Sequence, residues 1–321
     1  MHILIAGATG QIGRALIRWF LPKEDQVSIL TRNQVDDLPD SVQQHIWDGV
    51  HLGHWVDELN QVDVIINLAG RSVNCRYTQH NLQQMMDSRV LSTRAIGKAI
   101  QSTSKPPKLW IQMSTATLYA HRFDQANTEK EGIVGGSEEG VPDYWSYSVD
   151  IAQNWEKEIT ECNLPSTRKV ILRSSMVMTP DRKGVFDVLY SLSRLGLGGS
   201  VGGGAQYISW IHELDFMKGI DHFIQHQECE GAYNLCAPYP LPQKDFMKSL
   251  RMAIGGWGGM VGVPATRWMT EIGAFFMRTD TELVLKSRRV IPQRLLDEGF
   301  LFEHAEWSTA VQDLVHQRRL N

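Results

Sequence analysis

The amino-acid sequence predicts an α/β protein, a doubly wound parallel sheet with a smaller α/β lobe toward the C-terminus. Three observations carry that prediction. The chain opens on an apolar run, MHILIA, that gives way at once to Gly7, Gly10 and Gly13 at three-residue spacing. Short β-rich runs then alternate with stretches of helical period through the first half. Finally, 321 residues with 42% hydrophobic content and a net charge of -4 suffice for a large core. At roughly 150 residues per domain they suit one large sheet domain with a lobe.

The elements follow in order. Residues 2–6 read as a buried strand and 11–21 as the first amphipathic helix. Strands are expected over 27–31, 44–47, 63–68, 109–114 and 169–173, with helices over 78–101 and 147–161 between some of them. Beyond Thr179 the pattern loosens into a helix over 184–195, the loop LGLGGSVGGG (195–204), a strand over 207–211 and a helix over 213–226. The loop is too glycine-dense to be a packed element, and reads either as a flap over a ligand or as a flexible connector. Residues 1–180 are expected to form the sheet domain, with segments near 205–236 returning to it. Residues 181–321 are expected to form the C-terminal substrate lobe.

The turn GATGQIG (7–13) is the signature of a dinucleotide-phosphate cradle. Its glycines allow a tight turn, a close approach of backbone to pyrophosphate and close packing of helix on sheet. The positive end of the first helix then faces the phosphates. This assigns Gly7, Thr9, Gly10, Gln11 and Ile12 to the cofactor. The second strand, in VSILTRN (27–33), ends on Thr31 and Arg32, where an NAD site would place an acid on the ribose hydroxyls. A cation there suits a 2'-phosphate, so NADP(H) is expected over NAD(H), although Arg32 also reads as an ordinary solvated arginine. The strand VIINLAG (64–70) ends in small residues, which lets the cofactor lie against the backbone of Leu68, Ala69 and Gly70. LWIQMSTATLYA (109–120) brings Ser114, Thr115 and Tyr119 to the same edge.

Several functions are excluded. Basic residues such as Arg71 to Arg76 or Lys286 to Arg289 form no continuous stripe, which argues against nucleic acid. The four cysteines make no CxxC pair and read as reduced thiols of a cytoplasmic protein. No apolar run reaches the roughly 18 residues of a membrane helix, and the N-terminus is a core strand rather than a signal peptide. His222 and His226 stand at i, i+4, but DHFIQHQE lacks the HExxH arrangement and is expected to face solvent, so no metal is assigned.

Together, GATGQIG, NLAG, the serine-threonine patch, Tyr147 opening a helix and LRSSMVM (172–178) resemble the extended short-chain dehydrogenase/reductases, whose members include nucleotide-sugar epimerases and dehydratases. DSRVLSTRAI (87–96), NWE (154–156), RLGLGG (194–199), QYISWIH (206–212), VPATRWM (263–269) and SRRVIPQRLLDEGFLF (287–302) narrow the resemblance to an atypical epimerase-like subfamily of YfcH and SulA type. That resemblance implies a Rossmann-type domain binding NADP(H), a substrate pocket under the C-terminal lobe and a family-specific extension over 260–315 of uncharacterised role. By the same resemblance Thr115 aligns with the usual catalytic hydroxyl, and Ser114 with the serine of the subfamily.

The departures bear on mechanism. In such enzymes a tyrosine and a lysine four residues on share one helix face, and the lysine depresses the tyrosine pKa so that it can exchange a proton with substrate. Here the helix reads Tyr147-Ser148-Val149-Asp150-Ile151, with Ile151 at the lysine position. An unassisted phenol near pKa 10 is only about 0.1% ionised at neutral pH. Two readings therefore stand. One is an NADP(H)-dependent oxidoreductase or epimerase-like enzyme acting on a small polar or nucleotide-linked substrate through Thr115 and Tyr147. The other is a non-catalytic NADP(H) sensor acting through a partner. Arg89 either reaches a cofactor or substrate phosphate or pairs with Asp87 or another carboxylate. His212 either borders the substrate pocket or is structural, and Trp145, Trp155, Trp210 and Trp257 line the pocket or pack. A homodimer through the helices 78–101 and 147–161 is a further expectation.

Overall fold

The computed structural model describes residues 1–265 and 281–320. Thr266, Arg267, Trp268 and Met269 of the VPATRWM block lie outside the described residues.

Seven parallel strands make the main sheet: β1 (His2–Ala6), β2 (Gln26–Thr31), β3 (Gln43–Ile46), β4 (Val64–Asn67), β5 (Leu109–Thr115), β6 (Arg168–Ser174) and an edge strand, Gly231–Leu235. Their spatial order is edge strand, β6, β5, β4, β1, β2, β3. The winding reverses between β1 and β4, which pair in register from Ile3 opposite Val64 to Ala6 opposite Asn67. In doubly wound sheets ligands bind outside the carboxyl ends of the strands at such a switch point.

Strand alternation feeds two cores. Ile3, Ile5, Val27, Ile29, Val64, Ile66, Leu109 and Ile111 face one side, where α1 (Gln11–Phe20) and α6 (Glu213–Gln225) cover them. Leu4, Ala6, Leu30, Ile65 and Trp110 face the other, against Ala95, Ile96, Ala99 and Ile100 of α3 (Gln79–Ser102) and Ile159 of α4 (Ser146–Thr160). Because both faces are covered, these strands carry apolar residues at nearly every position.

A third core forms the lobe. Phe186 and Tyr190 of α5 (Val185–Arg194), Phe246 and Leu250 of α7 (Gln243–Ile254), and Trp307, Val311 and Leu314 of the C-terminal helix Trp307–Leu320 surround Trp210. Trp307 stacks on Phe246 at 3.9 Å and donates its indole N–H to the Phe246 carbonyl at 2.9 Å. The glycine loop 195–204 packs part of its backbone against this lobe, with Gly196, Gly198, Gly199 and Gly204 buried and Leu195 and Leu197 exposed. A Cβ at Gly199 would lie 2.2 Å from the Val263 carbonyl oxygen, and Gly202, Gly203 and Gly204 have positive φ. Its glycines serve close contact and left-handed backbone. Among the described residues no helix is long and apolar enough to cross a membrane.

Candidate functional site

The carboxyl edge at the switch point is built from backbone. Gly7 has φ +77°, and a Cβ there would lie 2.8 Å from the Ala69 nitrogen. A Cβ at Gly13 would lie 2.4 Å from the Ala8 Cα, so α1 can approach the turn only without a side chain. Gly10 differs, since a Cβ there would meet nothing nearer than the Gly7 carbonyl oxygen at 3.5 Å. The fold itself leaves that space open. Gly10 caps α1 with no side-chain hydrogen bond, and the first turn of α1 holds no acid. The first backbone N–H groups of that turn therefore point into the crevice beside Thr9, Gln11 and Ile12, the arrangement that receives an anion. Ala69 is fixed by its N–H to the Asn67 side chain at 3.0 Å, and Leu68 donates to the Ala6 carbonyl at 2.9 Å. Gln11 donates to the Asp181 carbonyl at 3.4 Å and packs against Gly184, which brings the loop after the short strand Met176–Met178 beside the cradle.

Arg32 stands exposed just past β2, without a hydrogen bond or ion pair among the described residues. Its neighbour Arg14 is engaged by Asp37 at 2.9 Å, and that pairing holds the Asp37 carboxyl below its ordinary range.

Thr115 ends β5, and its hydroxyl oxygen accepts the Thr117 N–H at 3.1 Å. Its own O–H is thereby left to donate outward. Ser114, one residue earlier, faces the opposite side of the sheet. It is buried and donates to Glu156 at 2.6 Å. Glu156 in turn binds Arg173 through two short contacts, 3.0 and 2.8 Å, and Arg173 reaches the Tyr119 hydroxyl at 2.9 Å. Burial pushes the Tyr119 phenol up, against the Arg173 charge. The NWE and LRSS blocks thus meet as a half-buried ion pair that ties α4 to β6, and the buried Ser114 hydroxyl donates into it.

Tyr147 lies in the first turn of α4, 49% exposed. Ile151, on the next turn, is buried at 5%. The face where the dehydrogenase/reductase pattern places a lysine is therefore a packing position here. Arg89 does not pair with Asp87 or another carboxylate among the described residues. It donates to the Met85 and Arg71 carbonyls at 3.0 Å each and lies 5.1 Å above the Trp155 ring, while Asp87 accepts from Gln83 instead. Burial with no carboxylate alongside pushes its guanidinium down to about 10, and its Cζ lies 3.3 Å from where a Gly70 Cβ would sit. Arg89 thus braces the backbone of Gly70 and Arg71.

The structure adds residues that sequence reasoning missed. The segment 281–291 enters beside this edge and places Lys286, 1% exposed, and Glu282, 0% exposed, within 3.4 Å of each other. Lys286 also donates to the Thr117 carbonyl at 3.0 Å, and Arg288 donates to the Thr117 hydroxyl at 3.2 Å. Glu282 accepts from Ser148, the residue after Tyr147, at 2.5 Å. Tyr144 meets Thr281 at 2.9 Å, and Tyr77 lies within charge range of both Arg89 and Arg288. Burial pushes the Glu282 carboxyl up and the Lys286 ammonium down, and each charge offsets the other's shift. This unit fixes the turn after Thr115 and the helix start at Tyr147 from one side. The only sequence signal was the i, i+4 spacing of Glu282 and Lys286, which ordinarily marks a solvated helix pair.

His212 does not join this group. Its Nδ1 accepts the Leu214 N–H at 3.1 Å and so caps α6, while its Nε2 contacts Asp313 at 3.1 Å and its ring lies 3.8 Å from His304. These residues line a cavity of about 270 Å³ against Ala15, Arg18 and Trp19 of α1. Nor does His222 face solvent, as its segment suggested: its side chain is 10% exposed. Trp155 and Trp210 are core residues, and Trp257 is exposed. A concavity of about 980 Å³ opens at the opposite edge among Met1, Asp63, Lys108 and Arg168, at the amino ends of the strands.

Fold and crevice together define a doubly wound protein of Rossmann type. Within that class, residues 3–139 match the NAD dependent epimerase/dehydratase family and residues 265–314 match a domain of unknown function (DUF1731). The chain is 27% identical over 315 residues to an epimerase family protein of Staphylococcus saprophyticus, covering 98% of this chain and 99% of that one. Among solved structures, human epimerase family protein SDR39U1 with NADPH is similar at a TM-score of 0.80 and 23% identity, covering 98% of this chain and 99% of that one. A nucleoside-diphosphate sugar epimerase from Corynebacterium glutamicum is similar at a TM-score of 0.75 and 22% identity, covering 98% of this chain and 58% of that one.

Proposed function

We propose that the protein binds NADP(H) at the β1–β4 crevice and acts as an oxidoreductase or epimerase-like enzyme of the atypical YfcH and SulA type, with Thr115 and Tyr147 at the reacting oxygen of a small-molecule substrate. The observation that supports it most is the open space at Gly10 before an uncapped helix start. The amides opening α1 would hold the pyrophosphate, Arg32 the 2'-phosphate, and the backbone at Leu68, Ala69 and Gly70 the ribose. The similarity to a protein solved with NADPH favours the same cofactor. When bound, a nicotinamide supplies or accepts hydride.

The chain's own residues handle the proton. Thr115, its oxygen engaged by the Thr117 N–H, donates its O–H to the substrate oxygen. No cation bonds to Tyr147 among the described residues, so Tyr147 serves best as a proton donor to an oxygen gaining charge, which favours carbonyl reduction over alcohol oxidation. A second reading, a non-catalytic NADP(H) sensor, is favoured by one observation: the lysine position is filled by buried Ile151. Turnover of a carbonyl substrate with NADPH that is lost in Thr115→Ala and Tyr147→Phe supports the enzyme. Cofactor binding without turnover, coupled to binding of a partner, supports the sensor.

Gly10→Ala tests the cradle. The added methyl meets no protein atom within 3.4 Å, so thermal stability should hold while NADPH affinity falls at least about tenfold. Unchanged affinity would refute the reading.

A further inference from the structure

We infer that His222, Cys229 and Glu298 form a binding site for one divalent transition-metal ion, best suited to Zn²⁺. The residues come from three segments: α6, the turn before the edge strand Gly231–Leu235, and the end of the short helix Gln293–Asp297. Their ligand atoms all lie within 4.8 Å of one another. Two contacts converge on a single carboxylate oxygen, with His222 Nε2 at 3.3 Å and Cys229 Sγ at 3.5 Å from Glu298 Oε2.

Those separations match a metal's coordination edges. With Zn–N, Zn–O and Zn–S bonds of about 2.0, 2.1 and 2.3 Å, a tetrahedron places nitrogen about 3.4 Å and sulfur about 3.6 Å from oxygen. The two edges to the carboxylate oxygen are therefore within a few tenths of an ångström of those a bound ion requires. Hydrogen bonds alone span similar distances, so the surroundings matter. The other carboxylate oxygen, Glu298 Oε1, accepts the Tyr233 hydroxyl at 2.7 Å, and Arg294 donates to that same hydroxyl at 2.7 Å. One oxygen is thus oriented from outside and the other is aimed at the histidine and the thiol, as for a metal-ligating carboxylate. The His222 ring is held in place by stacking on His226 at 4.0 Å.

The tautomer also permits it. Among the described residues His222 Nδ1 has no hydrogen-bond partner, so it can carry the ring proton while Nε2 takes the metal. The second histidine-acid group, His212, His304 and Asp313, fails this test. His212 Nδ1 already accepts the Leu214 N–H, so its Nε2 must keep the proton. At the proposed site, binding expels the Cys229 thiol proton to solvent. The thiolate and carboxylate then neutralise the dication, and the fourth position is left to water. The ion would pin the C-terminal segment to the sheet domain.

The test is a titration of the full-length protein, stripped with chelator, with ZnCl₂ in competition with a chromophoric indicator, and with CoCl₂ followed by absorption. One equivalent of Zn²⁺ should bind. Affinity should fall at least about tenfold in Cys229→Ser and in Glu298→Gln, and Co²⁺ should give a thiolate charge-transfer band that Cys229→Ser abolishes. A wild-type cobalt spectrum without that band overturns the inference even if the variants fail to fold, and so does equal zinc affinity in folded variants.

Discussion

Replacing Lys286 with methionine probes whether the C-terminal segment is part of the candidate site. Lys286 and Glu282 are almost wholly enclosed and 3.4 Å apart, and the ammonium also satisfies the Thr117 carbonyl. Breaking a buried pair from one side costs about 3–5 kcal/mol, because the remaining charge keeps its desolvation penalty. Arg288 stays within charge range of Glu282, which places the expected loss near the lower end, about 3 kcal/mol. In the double variant Glu282→Gln/Lys286→Met, the amide can still accept from Ser148, no carboxylate is left without Lys286, and Arg288 keeps its carbonyl partners at Leu283, Lys286 and Glu282. The loss should shrink to about 1 kcal/mol, a coupling of about 2 kcal/mol or more. Urea unfolding followed by tryptophan fluorescence and by circular dichroism measures this, once the two transitions are shown to coincide. Additive single-variant losses, within about 0.5 kcal/mol, would refute the pairing and with it the bracing of the Thr115 turn.

Two further outcomes are expected. His212 is pushed down to about 4 by burial and by His304, against the pull of Asp313. Its folded value lies below its unfolded one, so stability is full above about pH 6.5 and is lost as pH falls toward 4. At about 1.4 kcal/mol per pH unit the loss is on the order of 3 kcal/mol. His212→Asn, which can still cap α6, should flatten that limb in denaturation curves taken between pH 4 and 7, and an unchanged slope would contradict it. Gly13→Ala places a methyl 2.4 Å from the Ala8 backbone and should cost about 3 kcal/mol, read as a lowered Tm, whereas Gly10→Ala should leave Tm unchanged.

Much of the fold was legible because its signals are local. The parallel strands from β1 to β6 and the helices α1, α3 and α4 follow from apolar runs and helical periods, and the glycine spacing located the first crossover. The edge strand Gly231–Leu235 was not read as a strand. It begins at a positive-φ glycine and carries Asn234, whose burial depends on partners at Tyr119 and Ile291 distant in sequence. The choice between Ser114 and Thr115 was open in principle, since neighbours on a strand face opposite sides. Only the position of Glu156, however, shows which side is the interior. Lys286 and Arg288 were legible only as dispersed basic residues and Glu282 not at all, because nothing local records that the segment 281–291 folds back onto Thr117.

In the proposed function Gly7, Gly10, the start of α1 and Arg32 hold a 2'-phosphorylated dinucleotide. Calorimetric titration of the wild type and of Arg32→Ala with NADPH and NADH tests it most directly. The wild type should prefer NADPH by about tenfold or more, and this preference should be lost in Arg32→Ala while NADH binding is retained. No binding of either dinucleotide, or a preference for NADPH that survives loss of Arg32, would contradict it.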